Sequence, residues 1–258
     1  MIPRRLICVV SLIAAGLCML DAARAADLPD TVARIKGGVV GVGTVERTRR
    51  PPALFRGTGF AVGDGRYVVT NWHVISEPMD DSKKEFLAVF IGEGPEIRPA
   101  TIAASDPRHD VAVLKISGDP LPSTLTLGDS DKVREGELYA FTGFPIGVVL
   151  GLHPVTHRGL ISSITPIAIP MPASGELNDT VIDRLRNPFD VFQLDATAYP
   201  GNSGSPLYDP ATGTVVGIVN MVFVKESKET VLQKPSGIAY AIPINFAQHL
   251  LDEKHISR

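Results

Sequence analysis

Cysteine is nearly absent. Cys8 and Cys18 are the only two in 258 residues, and both lie close to the N-terminus. The rest of the chain therefore forms no disulfide, carries no thiol nucleophile and offers no thiolate to a metal. Aromatic residues are scarce at 6%, with one tryptophan. Charge of one sign is lacking too. The 25 Lys and Arg against 28 Asp and Glu leave a net charge of −3, which gives no broad attraction to nucleic acid or anionic lipid. Beyond Leu20 no apolar run approaches the ~20 residues that span a bilayer as a helix. Without disulfides, stability has to come from a buried core, and a chain of this length can bury one large core or two smaller ones.

The N-terminus has the pattern of an export signal. Arg4 and Arg5 are basic, Leu6 to Leu20 is apolar but short for a spanning helix, and Ala23-Arg24-Ala25 places small residues at a cleavage site. Residues 1–25 are expected to be removed after Ala25. Residues 26–258 then form the mature protein, periplasmic or secreted, with no stable membrane anchor. The bland alternative is a short anchor.

What is abundant is short β-prone runs between turn residues. Gly57 to Val62, Tyr67 to Asn71, Phe86 to Ile91, Val111 to Ile116, Glu137 to Phe144, Gly159 to Ile164, Thr214 to Val224 and Ile238 to Pro243 are rich in Val, Ile, Phe and Tyr. They predict an all-β fold with too many strands for one small barrel. Pro166 to Pro188 carries four prolines and reads as a long excursion, with a helical turn at Val181 to Leu185. Lys225 to Pro235 reads as a charged loop. Ile244 to Lys254 is expected to be helical, with Ala247, Leu250 and Leu251 on one face and Asn245 as N-cap.

One stretch, "TAYPGNSGSPLYD" from Thr197 to Asp209, sets glycines and prolines around Ser203. Alone it is an ordinary turn composition. A serine nucleophile needs a base, and the base needs an acid that fixes its tautomer. Of six histidines, His249 and His255 lie on the terminal helix and His109 in a polar turn. His153 and His157 flank a short strand, and a zinc pair from them is a weak idea. His73 ends a strand run where a side chain can enter a cleft on a rigid base. Asp110 stands at the entrance of an apolar strand, where a carboxylate needs a partner.

Six segments, in order, carry a resemblance: "TGFAVGDGRYVVTNWHVI", "DPRHDVAVLKI", "LTLGDSDKVREGELYAFTGFPIG", "VTHRGLISSI", "QLDATAYPGNSGSPL" and "GIAYAIP". Together they resemble the protease domain of the HtrA/Deg family of trypsin-like serine proteases. The resemblance implies a chymotrypsin-like double β-barrel with a C-terminal helix. It implies His73 as general base, Asp110 as its orienting acid and Ser203 as nucleophile, with the N–H groups of Gly201 and Ser203 as oxyanion hole. It also implies a substrate pocket walled by Thr197, Ala198 and Tyr199 on one side and Val219, Asn220 and Met221 on the other. Strand register decides which of the last three face the pocket.

Departures from the family pattern are informative. Ser205 stands where a second glycine is usual. Asn202 replaces the aspartate that digestive enzymes pair with a freed N-terminus, so activation by that cleavage is not expected. "GNSGSP" is also found in glutamyl endopeptidases, but the strand after Ser203 lacks the histidine they use. The family's PDZ domain is not expected after the terminal helix, and residues 26–54 lack the aromatic cluster of the family's trimers. A monomer is therefore expected, with a trimer as the alternative. The expected function is an exported serine endopeptidase acting on protein or peptide substrates, without metal or cofactor. The alternatives are a narrow-specificity processing protease and a catalytically silent binding or chaperone module.

Overall fold

The computed structural model describes residues 27–92, 96–145, 151–167, 187–220 and 237–258. The expected export signal, the helical turn expected at Val181 to Leu185, the loop expected at Lys225 to Pro235 and Met221 lie outside them. The chain folds into two closed six-stranded barrels. In the first, β1 (Val39–Val45), β2 (Ala53–Val62), β3 (Tyr67–Thr70), β4 (Phe86–Ile91), β5 (Glu96–Asp106) and β6 (Val111–Ile116) close in the order β1-β2-β3-β6-β5-β4. In the second, β7 (Leu138–Gly143), β8 (Val155–Pro166), β9 (Asp190–Asp195), β10 (Pro206–Tyr208), β11 (Val215–Asn220) and β12 (Ile238–Pro243) close in the order β10-β11-β12-β9-β8-β7. All the strand pairs within the barrels are antiparallel.

Each barrel fills its own interior by strand alternation. Val40, Val42, Ala61, Val68, Val89, Ala112 and Leu114 pack the first, and Phe141, Ile161, Leu194, Leu207, Val219 and Ala241 the second. A third apolar cluster joins them. Phe60, Val69, Val111 and Val113 of the first barrel meet Tyr208, Val215, Ile218 and Ile242 of the second. This shared layer is what a disulfide-free chain has in place of a cross-link, and it sets the angle at which the barrel ends face each other.

Three helices complete the described fold. α1 (Leu28–Ile35) is capped by the Asp27 carboxylate on the Leu28 N–H at 2.8 Å. It reaches the second barrel through Arg34, which donates to the Thr212 carbonyl at 2.7 Å. α2 (Trp72–Ile75) is a single turn. α3 (Asn245–Glu253) buries Ala247, Leu250 and Leu251 as expected. Its cap differs from expectation. The residue before the helix is Ile244, and no side chain caps it; Asn245 instead accepts from the Ser130 N–H at 3.0 Å. A neighbouring loop took the amide that the helix end left unused.

Candidate active site

His73 lies on α2, directly after β3, rather than on a bare turn. Its backbone N–H donates to Asp110 Oδ1 at 2.8 Å, and its Nδ1 lies 2.7 Å from Asp110 Oδ2. A carboxylate can only accept, so the Nδ1–H is fixed and Nε2 is left as the basic nitrogen. Asp110 is 3% exposed. It sits at the end of the loop between β5 and β6 with φ +56°, a left-handed angle that costs a non-glycine residue about 1–2 kcal/mol. Its carbonyl accepts from the Trp72 N–H at 3.1 Å and from Asn71 Nδ2 at 3.0 Å. The α2 turn and the Asp110 loop are thus locked together at four points.

Ser203 comes from the second barrel, in the loop before β10. It is buried to 5% exposure. Gly201 has φ +101° and Gly204 φ +88°, so the loop turns twice through angles that favour glycine. The loop closes on itself and on β11. Asn202 N–H donates to the Tyr199 carbonyl at 2.9 Å, Ser205 N–H to Asn202 at 3.0 Å, and Gly204 N–H to Val219 at 2.9 Å.

Thr58 of the first barrel clamps this loop, a role the sequence reading did not find. Its N–H donates to the Ser203 carbonyl at 2.8 Å and its hydroxyl to the Gly201 carbonyl at 2.7 Å. Its own carbonyl accepts from the Thr70 hydroxyl at 2.7 Å. Gly57, beside it, marks where the serine loop and the histidine turn converge. A Cβ there would stand 2.8 Å from both the Ser203 carbonyl oxygen and a methyl of Val74, the neighbour of His73. His73 and the Ser203 loop thus come from different barrels and approach each other around Gly57.

The expected pocket residues separate. Thr197 and Tyr199 are half-buried, and Ala198 is buried in the second barrel's core with Val219. Asn220, expected in the pocket wall, is turned towards Asp110. It is fully buried and its Nδ2 lies 2.5 Å from Asp110 Oδ2. The period-two alternation of β11 sends it across the barrel junction to the carboxylate. Asn202 and Ser205 are both fully buried, and the Asn202 amide atoms and Ser205 Oγ have no hydrogen-bond partner among the described residues. His157 is half-buried and stacks on Phe141 with centroids 5.0 Å apart. Burial pushes its pKa below the usual histidine value, and its Nε2 has no partner among the described residues.

This geometry has counterparts among known proteins. A family model described as "Trypsin-like peptidase domain" matches residues 57–218. A protein of Halomonas elongata named "Probable periplasmic serine endoprotease DegP-like" is 34% identical over 76% of this chain and 34% of its own length. A Brucella suis protein of the same name is 32% identical over 79% of this chain and 33% of its own. The chain thus spans about a third of the length of the curated relatives it matches. Among solved structures, the HtrA-type protease AlgW with a tripeptide superposes at TM-score 0.63 and 28% identity, over 88% of this chain and 63% of that one. AlgW with a decapeptide gives 0.64 and 26%, over 89% and 67%. With two closed barrels, a His73–Asp110 pair at their junction and a glycine-shaped serine loop opposite it, the chain belongs to the trypsin-like peptidase family.

Proposed function

We propose that the chain is an exported, periplasmic serine endopeptidase of the HtrA type that cleaves protein or peptide substrates through an acyl-enzyme. The observation that carries this reading is the His73 Nδ1–Asp110 Oδ2 contact of 2.7 Å, placed at the junction where Thr58 holds the Ser203 loop. His73 Nε2 takes the proton as Ser203 Oγ attacks the scissile carbonyl carbon. Asp110 keeps the tautomer and stabilises the imidazolium that forms. The N–H groups of Gly201 and Ser203 are the proposed donors to the oxyanion, with the positive φ of Gly201 aiming the chain. Collapse expels the amine, which receives the proton from His73, and water releases the acid by the same route in reverse.

For the residue before the scissile bond we propose Val, Ala, Ile or Leu. Thr197 and Ala198 bring no carboxylate to pair with a buried Lys or Arg, and an unpaired buried charge costs several kcal/mol (about 3–5). Peptide mapping of an unfolded-protein digest tests this, and a majority of cuts after charged residues overturns it.

The activity is tested by reacting the purified protein with a fluorophosphonate probe and assaying casein hydrolysis. Labelling is expected on Ser203, and Ser203→Ala should lower turnover on the order of a millionfold while leaving the fold intact. A wild-type protein that takes no label and leaves casein whole would instead be a binding module on the same barrels.

A further inference from the structure

Asp110 is held on one side by the groups it serves. Its carbonyl is bound by Trp72 and Asn71, and its carboxylate by His73 and Asn220. Its φ of +56° is a rotation between those groups and the preceding peptide, which belongs to His109. A strained angle persists only where both sides are fixed. His109 fixes the other side. Its backbone N–H donates to Asp106 Oδ1 at 3.2 Å and its Nδ1 to Asp106 Oδ2 at 2.5 Å. Its ring lies flat on Phe246 of α3, with centroids 3.9 Å apart and planes 13° apart, and meets the edge of Phe189 at 4.8 Å. Phe189 and Phe246 in turn pack edge to face at 5.3 Å.

We propose that His109 is a positioning residue for the triad: gripped by Asp106 and stacked on Phe246, it holds the backbone at which Asp110 turns its carboxylate to His73. The proposal rests on the serine-protease reading above. The β5–β6 loop runs from Asp106, paired with Val111 across the hairpin, through Pro107, Arg108, His109 and Asp110. Its last position adopts the left-handed angle that hairpin loops of this kind usually give to Gly or Asn. Here the position must carry a carboxylate, so glycine is not available to relieve the angle. Without the grip, the peptide between His109 and Asp110 rotates towards the right-handed region. The carboxylate then leaves the line of the His73 Nδ1–H. His109 touches neither substrate nor reacting atoms in this scheme. It acts through Asp110 alone.

Two substitutions separate the hydrogen bond from the ring. His109→Phe keeps an aromatic ring on Phe246 and removes the donor to Asp106. His109→Asn keeps a donor at the Nδ1 position and removes most of the ring. The expected result for His109→Phe is a fluorophosphonate acylation rate about ten- to hundredfold lower, the size of effect that small misplacements cause. KM for a peptide substrate should stay within about twofold, since the loss is in the chemical step. The downfield proton resonance of the His73–Asp110 pair should weaken or vanish. His109→Asn should restore most of the rate and the resonance. Circular dichroism and thermal melting establish that each variant is folded; if His109→Phe does not fold, Asp106→Leu removes the same acceptor and carries the same expectations. A folded variant that acylates at the wild-type rate and keeps the resonance overturns the proposal. Wild-type protein that is not acylated at all overturns the protease reading instead.

Discussion

Asn220 Nδ2 and His73 Nδ1 share one oxygen, Asp110 Oδ2, at 2.5 Å and 2.7 Å. The oxygen therefore receives donors from both barrels, and the amide of the second barrel holds the carboxylate that His73 of the first contacts. A hydrogen bond to a charged group contributes about 1.5–3 kcal/mol. Asn220→Ala should thus lower kcat by about ten- to hundredfold with KM little changed. Asn220→Asp should be worse, because it sets a second carboxylate against a buried one. Steady-state kinetics on a peptide substrate check both, and an alanine variant within about twofold of wild type would refute the coupling.

Two glycines with the same φ separate backbone strain from crowding. Gly118 and Gly204 both have φ +88°. A Cβ on Gly118 meets nothing within 4 Å, whereas one on Gly204 would lie 1.9 Å from the Thr58 carbonyl oxygen and 2.5 Å from Thr70 Oγ1. Gly118→Ala should cost about 1–2 kcal/mol, the left-handed penalty alone. Gly204→Ala should cost more than about 4 kcal/mol, in the range reserved for severe core disruption, or prevent folding. Urea unfolding of the two variants measures the difference, and equal losses would show that the serine loop yields freely.

Why parts of this were legible in sequence follows from where the information lies. β4, β6 and β12 coincide with the expected runs because each is a short apolar segment bounded by polar or turn residues. β1 was missed because its glycines, Gly41 and Gly43, dilute the pattern. β5 was missed because Pro99 and exposed polar residues break it. The expected triad residues stand out by residue type and local turn chemistry. Thr58 does not, because its partner Gly201 is 143 residues away, and no local pattern encodes a hydrogen bond of that span. Asn220 was singled out for a pocket wall. Only the register of β11 against β12 says which way it faces.

Ser205 tests whether the departure from glycine costs stability. Its Oγ is buried without a partner among the described residues, and the Cβ of a residue at 143 would lie 2.0 Å from it, so only glycine fits there. An unpaired buried hydroxyl costs about 1–3 kcal/mol. Ser205→Ala should therefore stabilise the protein by about 1 kcal/mol in urea unfolding, with acylation of Ser203 unaffected. A destabilised alanine variant would mean that the hydroxyl is paired in solution.

Glu85 contributes an acid dependence to the first barrel. Its side chain is 7% exposed. The Thr44 hydroxyl donates to it at 2.5 Å, the Asp80 N–H at 3.0 Å and Arg49 Nη1 at 2.8 Å. The Thr44 hydroxyl first, then the Asp80 N–H, hold its pKa down from 4.5 to about 2 against the opposing effect of burial; the Arg49 guanidinium adds to the lowering. A carboxylate whose pKa is lower folded than unfolded stabilises the fold fully above its unfolded pKa, and loses that contribution as pH falls through the folded value. The window is therefore from about 4.5 down to about 2. Glu85→Gln should be less stable than wild type at pH 7 by about 1–3 kcal/mol, because the charged hydrogen bonds are lost. The gap should narrow as pH falls through that window, since the wild-type carboxyl then protonates and loses the same charge. Urea unfolding of both proteins at pH 7, 4 and 3 measures it. A gap that stays constant across that range would show that Glu85 contributes through shape rather than charge.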